Sequence, residues 1–263
     1  MHATIKLLAK DLLPPFLQRC LRELGGGNKW KGDYPDWASA IAASSGYDAG
    51  DILERVRAAA RSVRDGKAMW ERDSVCFHHE EYNWQLIACL MTVAARSGGK
   101  LHLLDFGGAL GSTYMQHRKL LSALPECSWS VVEQPHFVSC GKKEFCTDVL
   151  DFFESIEECL DHRAINVFLF SSVLQYLEDP YDLLGKVLKL SPDAIVIDRT
   201  PFANTGERIT VQYVPKSIYP ASYPCRFLDT RQIEIILAEH RILTPWFNNN
   251  FDPPYCHGVM SLL

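Results

Sequence analysis

The chain has 263 residues, is 47% hydrophobic and carries a formal charge of −5, which suits one sizeable core plus an extension. With no long basic run, a nucleic-acid backbone is excluded as the main partner. Nine cysteines without a CxxC pair point to neither a zinc knuckle nor a disulfide framework, and a reduced, cytoplasmic setting is expected.

Residues 2–24 carry apolar side chains at 5, 8, 12, 16 and 17, with Lys6, Lys10, Arg19 and Arg22 between them. These runs are too short to span a bilayer or act as a signal peptide, and Pro14 and Pro15 interrupt them. The segment is either an arm packed on the domain or a basic helix, 5–22, holding the protein at the inner face of a membrane. After Gly25–Gly27 the chain reads as helical from Tyr34 to Gly66, with Asp36 and Asp51 as caps, and again from Trp70 to Arg96. His78, His79, Glu80 and Glu81 lack the spacing of a metal site, and no metal is expected.

From Leu101 the pattern changes to short apolar runs alternating with helical stretches. Strands are expected at 101–106, 130–133, 147–151, 165–170 and 194–198, and helices near 112–124, 136–144, 154–162 and 180–190. Such alternation predicts a parallel sheet covered on both faces, with ligands beyond the strands' carboxyl ends. Arg208–Val214 reads as a strand. Ile218–Cys225, rich in proline and tyrosine, reads as a loop. Asp229 caps a helix to His240, and strands at 242–247 and 257–263 close the chain.

The first strand runs into Gly107, Gly108 and Gly111, with Ser112 placed as a helix cap. A strand, a glycine-rich turn and a helix form a platform where a ligand can approach the backbone. Gly108 either admits that ligand or permits close helix–strand packing. The next strand ends in Glu133, about 20 residues on, where a doubly wound fold holds a ribose.

The motifs LDFGGALGSTY, VVEQP and VFLFSSVLQYLEDP occur in the order and spacing of class I S-adenosylmethionine-dependent methyltransferases. More closely, the chain resembles a bacterial group of methyltransferase-like proteins often found among surface-polysaccharide genes. These share LDFGG-x-LGSTY, VVEQP, SSVLQYLEDPY, IDRTPF and IYPASYPC. The resemblance implies a Rossmann-like, doubly wound, mostly parallel seven-stranded α/β sheet over 100–263, a helical N-terminal extension over 1–99, and S-adenosylmethionine as cofactor.

Carried over by residue, Asp105 and Gly107 lie beside the methionine part of the cofactor, Gly108 and Gly111 form the accommodating turn, and Glu133 accepts the ribose hydroxyls. Ser171, with Ser172, faces the methionine amino group, while Gln134 and Pro135 shape the adenine side. Ala109 replaces a glycine of the pattern, and Gln175 stands where many relatives have His.

Asp198, at a strand end on the ligand edge, leads the candidates for a general base, ahead of His78, His79 and His136. Arg199 is positioned to orient an anionic or sugar substrate. Gln175, Tyr176, Tyr219 and Tyr223 are expected to line the acceptor pocket, with Tyr34, Trp37 and Asp73 as further contacts. The expected reaction is O-methylation of a saccharide or other small acceptor. A binding protein that has lost catalysis and an NAD-dependent oxidoreductase are the alternatives. The oxidoreductase is disfavoured by the absence of G-x-G-x-x-G.

Overall fold

The computed structural model describes residues 29–46, 49–203, 206–214, 221–238, 241–247 and 256–262. The predicted arm at 5–22 and Tyr219 lie outside them. In chain order, β1 (Lys29–Tyr34) is followed by α1 (Trp37–Ala42) and α2 (Ala49–Arg64). Asp36 caps α1 by accepting from the Ser39 amide, as expected. Tyr34 ends a strand rather than opening a helix, and α2 begins two residues before Asp51, which therefore lies inside its first turn.

The stretch from Trp70 is the main departure from the helical expectation. Trp70–Arg72 (β2) and Val75–Phe77 (β3) form a hairpin, and helix α3 begins only at Trp84 and runs to Arg96. Asp73 and Ser74 both take positive φ, at 49° and 66°, as a two-residue hairpin turn requires. The paired Trp70 and Phe77 rings stack at 3.9 Å, so cross-strand packing stabilises the turn without a glycine.

The alternating part follows as β4 (Lys100–Phe106), α4 (Ser112–Leu121), β5 (Glu126–Val132), α5 (Pro135–Glu144), β6 (Leu150–Phe153), α6 (Ile156–His162), β7 (Val167–Ser171), α7 (Pro180–Leu188) and β8 (Ala194–Ala203). A single 3₁₀ turn, Leu174–Tyr176, joins β7 to α7. The last elements are β9 (Arg208–Tyr213), β10 (Ser222–Asp229), α8 (Thr230–Ile236), β11 (Arg241–Phe247) and β12 (Cys256–Leu262). Asp229 caps α8 through the Arg231 amide.

Strands β6, β5, β4, β7 and β8 lie side by side and parallel. Beyond β8, β12 runs antiparallel, and β11 pairs antiparallel with β12. The alternation predicts a parallel sheet, and the observed one is the Rossmann-like, mostly parallel seven-stranded sheet that the resemblance implies. Both faces are buried: Leu101 and Leu103 enter one apolar cluster with Leu86, Leu90 and Trp129, while Leu104 enters another with Phe168, Phe170 and Ile195. That is why these strands read as continuous apolar runs.

A three-stranded antiparallel patch, β10-β9-β1, extends the sheet from the end of β8. It corrects the expected loop: Ser222–Cys225 belongs to a strand. Pro224 is tolerated opposite Val211 because β10 pairs with β8 only at Leu228 and Asp229, leaving its other edge without a strand there. No helix among the described residues is long and apolar enough to cross a membrane.

Candidate active site

A cavity of about 1140 Å³ opens at the carboxyl ends of β4, β5, β7 and β8. It exceeds the roughly 300–1,000 Å³ of a typical single-ligand pocket, so two molecules can share it.

One rim is the glycine turn. Gly107 has φ +72°, and a Cβ there would come within 2.6 Å of Val173. A Cβ on Gly108 would fall 2.6 Å from the Asp105 carboxyl group, so this position is glycine because Asp105 folds back beneath the turn. Asp105 is 1% exposed and does not line the cavity. Its Oδ2 accepts from Trp129 Nε1 at 3.1 Å, while Oδ1 has no partner among the described residues. Burial pushes its pKa up to about 7. Gly111 (φ +81°) also stands behind the turn, against Leu150. Gly111, not Ser112, is the α4 cap; Ser112 opens the helix and its hydroxyl meets the Glu71 carboxylate.

Ala109 adopts the left-handed backbone (φ 52°) that a glycine would take, and its amide donates to Glu133 Oε1 at 3.3 Å. The Gln134 amide donates to Oε2 at 2.8 Å. Burial raises the Glu133 pKa, and these two amides oppose that shift. Glu133, Gln134, Pro135 and His136 line this side, joined by Glu154, Ser155 and Ile156 from the end of β6, which the sequence did not reveal.

The opposite rim carries the denser polar network. Asp198, 1% exposed, lines the cavity. Its Oδ2 accepts from Ser171 Oγ at 3.0 Å and from Asn83 Nδ2 at 3.1 Å; Oδ1 accepts from the same amide at 3.3 Å. Asn83 also caps α3 through the Leu86 amide, and its own backbone N–H donates to His117 Nε2 at 3.0 Å. His117 Nδ1 donates to the Thr113 carbonyl, and burial depresses its pKa to about 4, so the ring is neutral.

Arg199 follows with φ 50°, kinking β8 where it leaves the parallel sheet; its Nε donates to Ser171 Oγ at 3.2 Å. Gln175 Nε2 donates to Ser172 Oγ at 3.0 Å, and the Tyr176 hydroxyl donates to Gln212 at 3.1 Å. Tyr176 and Tyr223 meet edge to face at 5.2 Å.

The structure therefore gathers Gly107, Gly108, Glu133, Gln134, Ser171, Ser172, Gln175, Tyr176, Asp198, Arg199 and Tyr223 around one cavity, with Trp37 and Asp73. His78 and His79 do not line it; His79 pairs with Glu81. The residues missed come mainly from the hairpin and its exit: Glu71, Arg72, Ser74 and Asn83. Five positive-φ residues other than glycine, Asp73, Ser74, Ala109, Ser172 and Arg199, line the cavity, while Ser191 does not. Such conformations concentrate where a site imposes them. Among the described residues no group of three or more His, Cys, Asp or Glu side chains forms a metal cluster.

No family model matches the chain, and no curated protein does. Among solved structures it is similar to the Burkholderia thailandensis 1,6-didemethyltoxoflavin-N1-methyltransferase with bound S-adenosylhomocysteine, at 13% identity over 83% of this chain and 93% of that one, with a TM-score of 0.46. An amino pentose methyltransferase from Micromonospora echinaspora, bound to S-adenosylmethionine, is 6% identical over 70% and 92%, with a TM-score of 0.45. Human N-acetylserotonin methyltransferase is 15% identical over 66% and 50%, with a TM-score of 0.42.

Proposed function

We propose that this protein is an S-adenosylmethionine-dependent methyltransferase that methylates a hydroxyl of a saccharide or similar small molecule. The observation that carries the reading is the glycine turn and Glu133 meeting on one rim of a cavity large enough for cofactor and acceptor together. Each Glu133 oxygen takes one backbone N–H, which leaves the carboxylate capacity for the two ribose hydroxyls. These acceptor oxygens thus fit the cofactor's ribose.

Gly107 and Gly108 carry the methionine portion along the backbone, with Ser171 and Ser172 opposite, while Gln134, His136 and the end of β6 bound the adenine side. When bound, the cofactor supplies a methyl carbon made electrophilic by its sulfonium. The chain aligns the acceptor and excludes water, chiefly a positioning effect. Asp198 receives the hydroxyl proton on Oδ1, whose single donor at 3.3 Å leaves a lone pair to accept it. Ser171 and Asn83 hold that carboxylate in place. Tyr176 and Tyr223 offer ring faces with polar rims to the acceptor.

Calorimetric titration with S-adenosylmethionine, S-adenosylhomocysteine and NAD tests this. The first two are expected to bind at one site per chain, with NAD giving no heat. Binding of NAD alone would replace the reading with the oxidoreductase alternative.

A further inference from the structure

The hydrogen-bonding capacity left over at the β7–β8 rim defines the complement of whatever binds there. Asp198 can only accept: each of its oxygens already takes at least one donor, and the lone pair left on Oδ1 is the one assigned to the acceptor's proton. Arg199 is different. Its Nε is used by Ser171, but its two terminal nitrogens make no hydrogen bond among the described residues, and Asp198 stands 3.8 Å from Nε.

Gln175 adds a second, independent gap. The residue is 3% exposed and lines the cavity; its Oε1 makes no hydrogen bond among the described residues, although the Tyr176 hydroxyl lies against the same amide. The amide cannot simply be turned over. Its Nε2 also faces the Arg199 carbonyl at 3.4 Å, and a flip would set two oxygens against each other. A buried acceptor without a donor is unfavourable until a ligand supplies one. A second guanidinium stands nearby among the acids Glu71, Asp73 and Asp198: Arg72 lines the same cavity, and its pKa falls to about 10 through burial first and the charge of Arg199 second.

We propose that the acceptor is a polyhydroxylated organic anion, a sugar acid or a sugar phosphate, whose anionic group seats on the terminal nitrogens of Arg199 while one hydroxyl donates to Gln175 Oε1. The planar guanidinium fork matches the paired oxygens of a carboxylate or phosphate. The ring then lies toward Tyr176 and Tyr223. This rests on the methyltransferase reading, because it takes the other rim to be filled by the cofactor.

The test is calorimetry on the full chain saturated with S-adenosylhomocysteine, titrating D-glucuronate, D-glucose 6-phosphate and D-glucose. At least one of the two anions is expected to bind ten-fold or more tighter than glucose, and which one does so identifies the anionic group. Arg199→Gln should abolish that preference and Arg199→Lys should retain part of it, with S-adenosylhomocysteine affinity within two-fold in both. Gln175→Leu should weaken every sugar probe about ten-fold and leave the preference intact. Equal binding of all three sugars, or of none, overturns the proposal while the methyltransferase reading survives. A loss of S-adenosylhomocysteine affinity in Arg199→Gln with the anion preference kept assigns the guanidinium to the cofactor and also overturns it. If S-adenosylhomocysteine itself fails to bind the wild-type chain, the underlying reading fails first.

Discussion

The two rims of the cavity are built by opposite means. The glycine-turn rim is local: Gly107, Gly108, Ala109 and Glu133 lie on two adjacent strand ends, and backbone amides do most of the bonding. The β7–β8 rim is assembled from distant chain segments. Asn83 reaches Asp198 across 115 positions. A rim made of backbone tolerates changes of side chain as long as its glycine conformations survive. A rim made of side-chain networks is sensitive to any single partner.

Substitutions that act on one rim should therefore separate from those on the other. The largest effect is expected from Gly107→Val. It forces a β-branched residue into φ +72° and drives a Cβ to 2.6 Å from Val173. Binding of S-adenosylhomocysteine should disappear in calorimetry, with a clear fall in Tm; retained binding would put the ligand elsewhere. Glu133→Ala should weaken the same ligand by about 1.5–3 kcal/mol, the range for hydrogen bonds to a charged group. An unchanged affinity in a folded variant removes Glu133 from the site.

On the other rim, Asn83→Ala takes donors from the buried Asp198 and a cap from α3. It should lower stability by about 1–3 kcal/mol in urea denaturation and leave S-adenosylhomocysteine affinity unaltered. A loss of affinity without a loss of stability would merge the two rims into one network. Tyr176→Phe, which removes the hydroxyl that bonds Gln212, should cost about 0.5–1.5 kcal/mol.

The pH dependence sharpens the contrast from beneath the glycine turn. Asp105 has a folded pKa near 7 against an ordinary 3.8, so the folded state binds more protons between these values. Its contribution is fully present below about pH 4 and is lost as pH rises through 7. His117, depressed to about 4, acts in the opposite sense over pH 4 to 6.5, gaining stability as pH rises. Asp105→Asn removes the first effect and keeps the second. The variant's stability relative to the wild type should therefore climb from pH 4 to pH 8. A difference independent of pH would mean that Asp105 is ionised in the fold.

The same contrast explains what the sequence disclosed. Leu103, Leu104 and Trp129 announce buried strands, and Glu133 announces a ligand edge, because neighbours in sequence specify both. The hairpin did not disclose itself: Asp73-Ser74 lacks the glycine that usually marks such a turn, and its strands are three residues each. Ser222–Cys225 read as a loop because Pro224 argues against a strand unless the pairing of each edge is known. Asn83 and Glu71 look like ordinary surface residues until folding brings their partners to them. Gly108 carried two meanings in sequence; the nearness of Asp105 accounts for close packing, and its place on the cavity lining leaves it facing a ligand as well.

A crystal structure of the chain with S-adenosylhomocysteine tests the central claim most directly. The account predicts the ribose hydroxyls on the Glu133 carboxylate and the amino-acid tail along Gly107–Gly108, with the space beside Arg199 and Gln175 left open for an acceptor. Ligand bound outside this cavity, or inside it without contact to Glu133, would contradict the account.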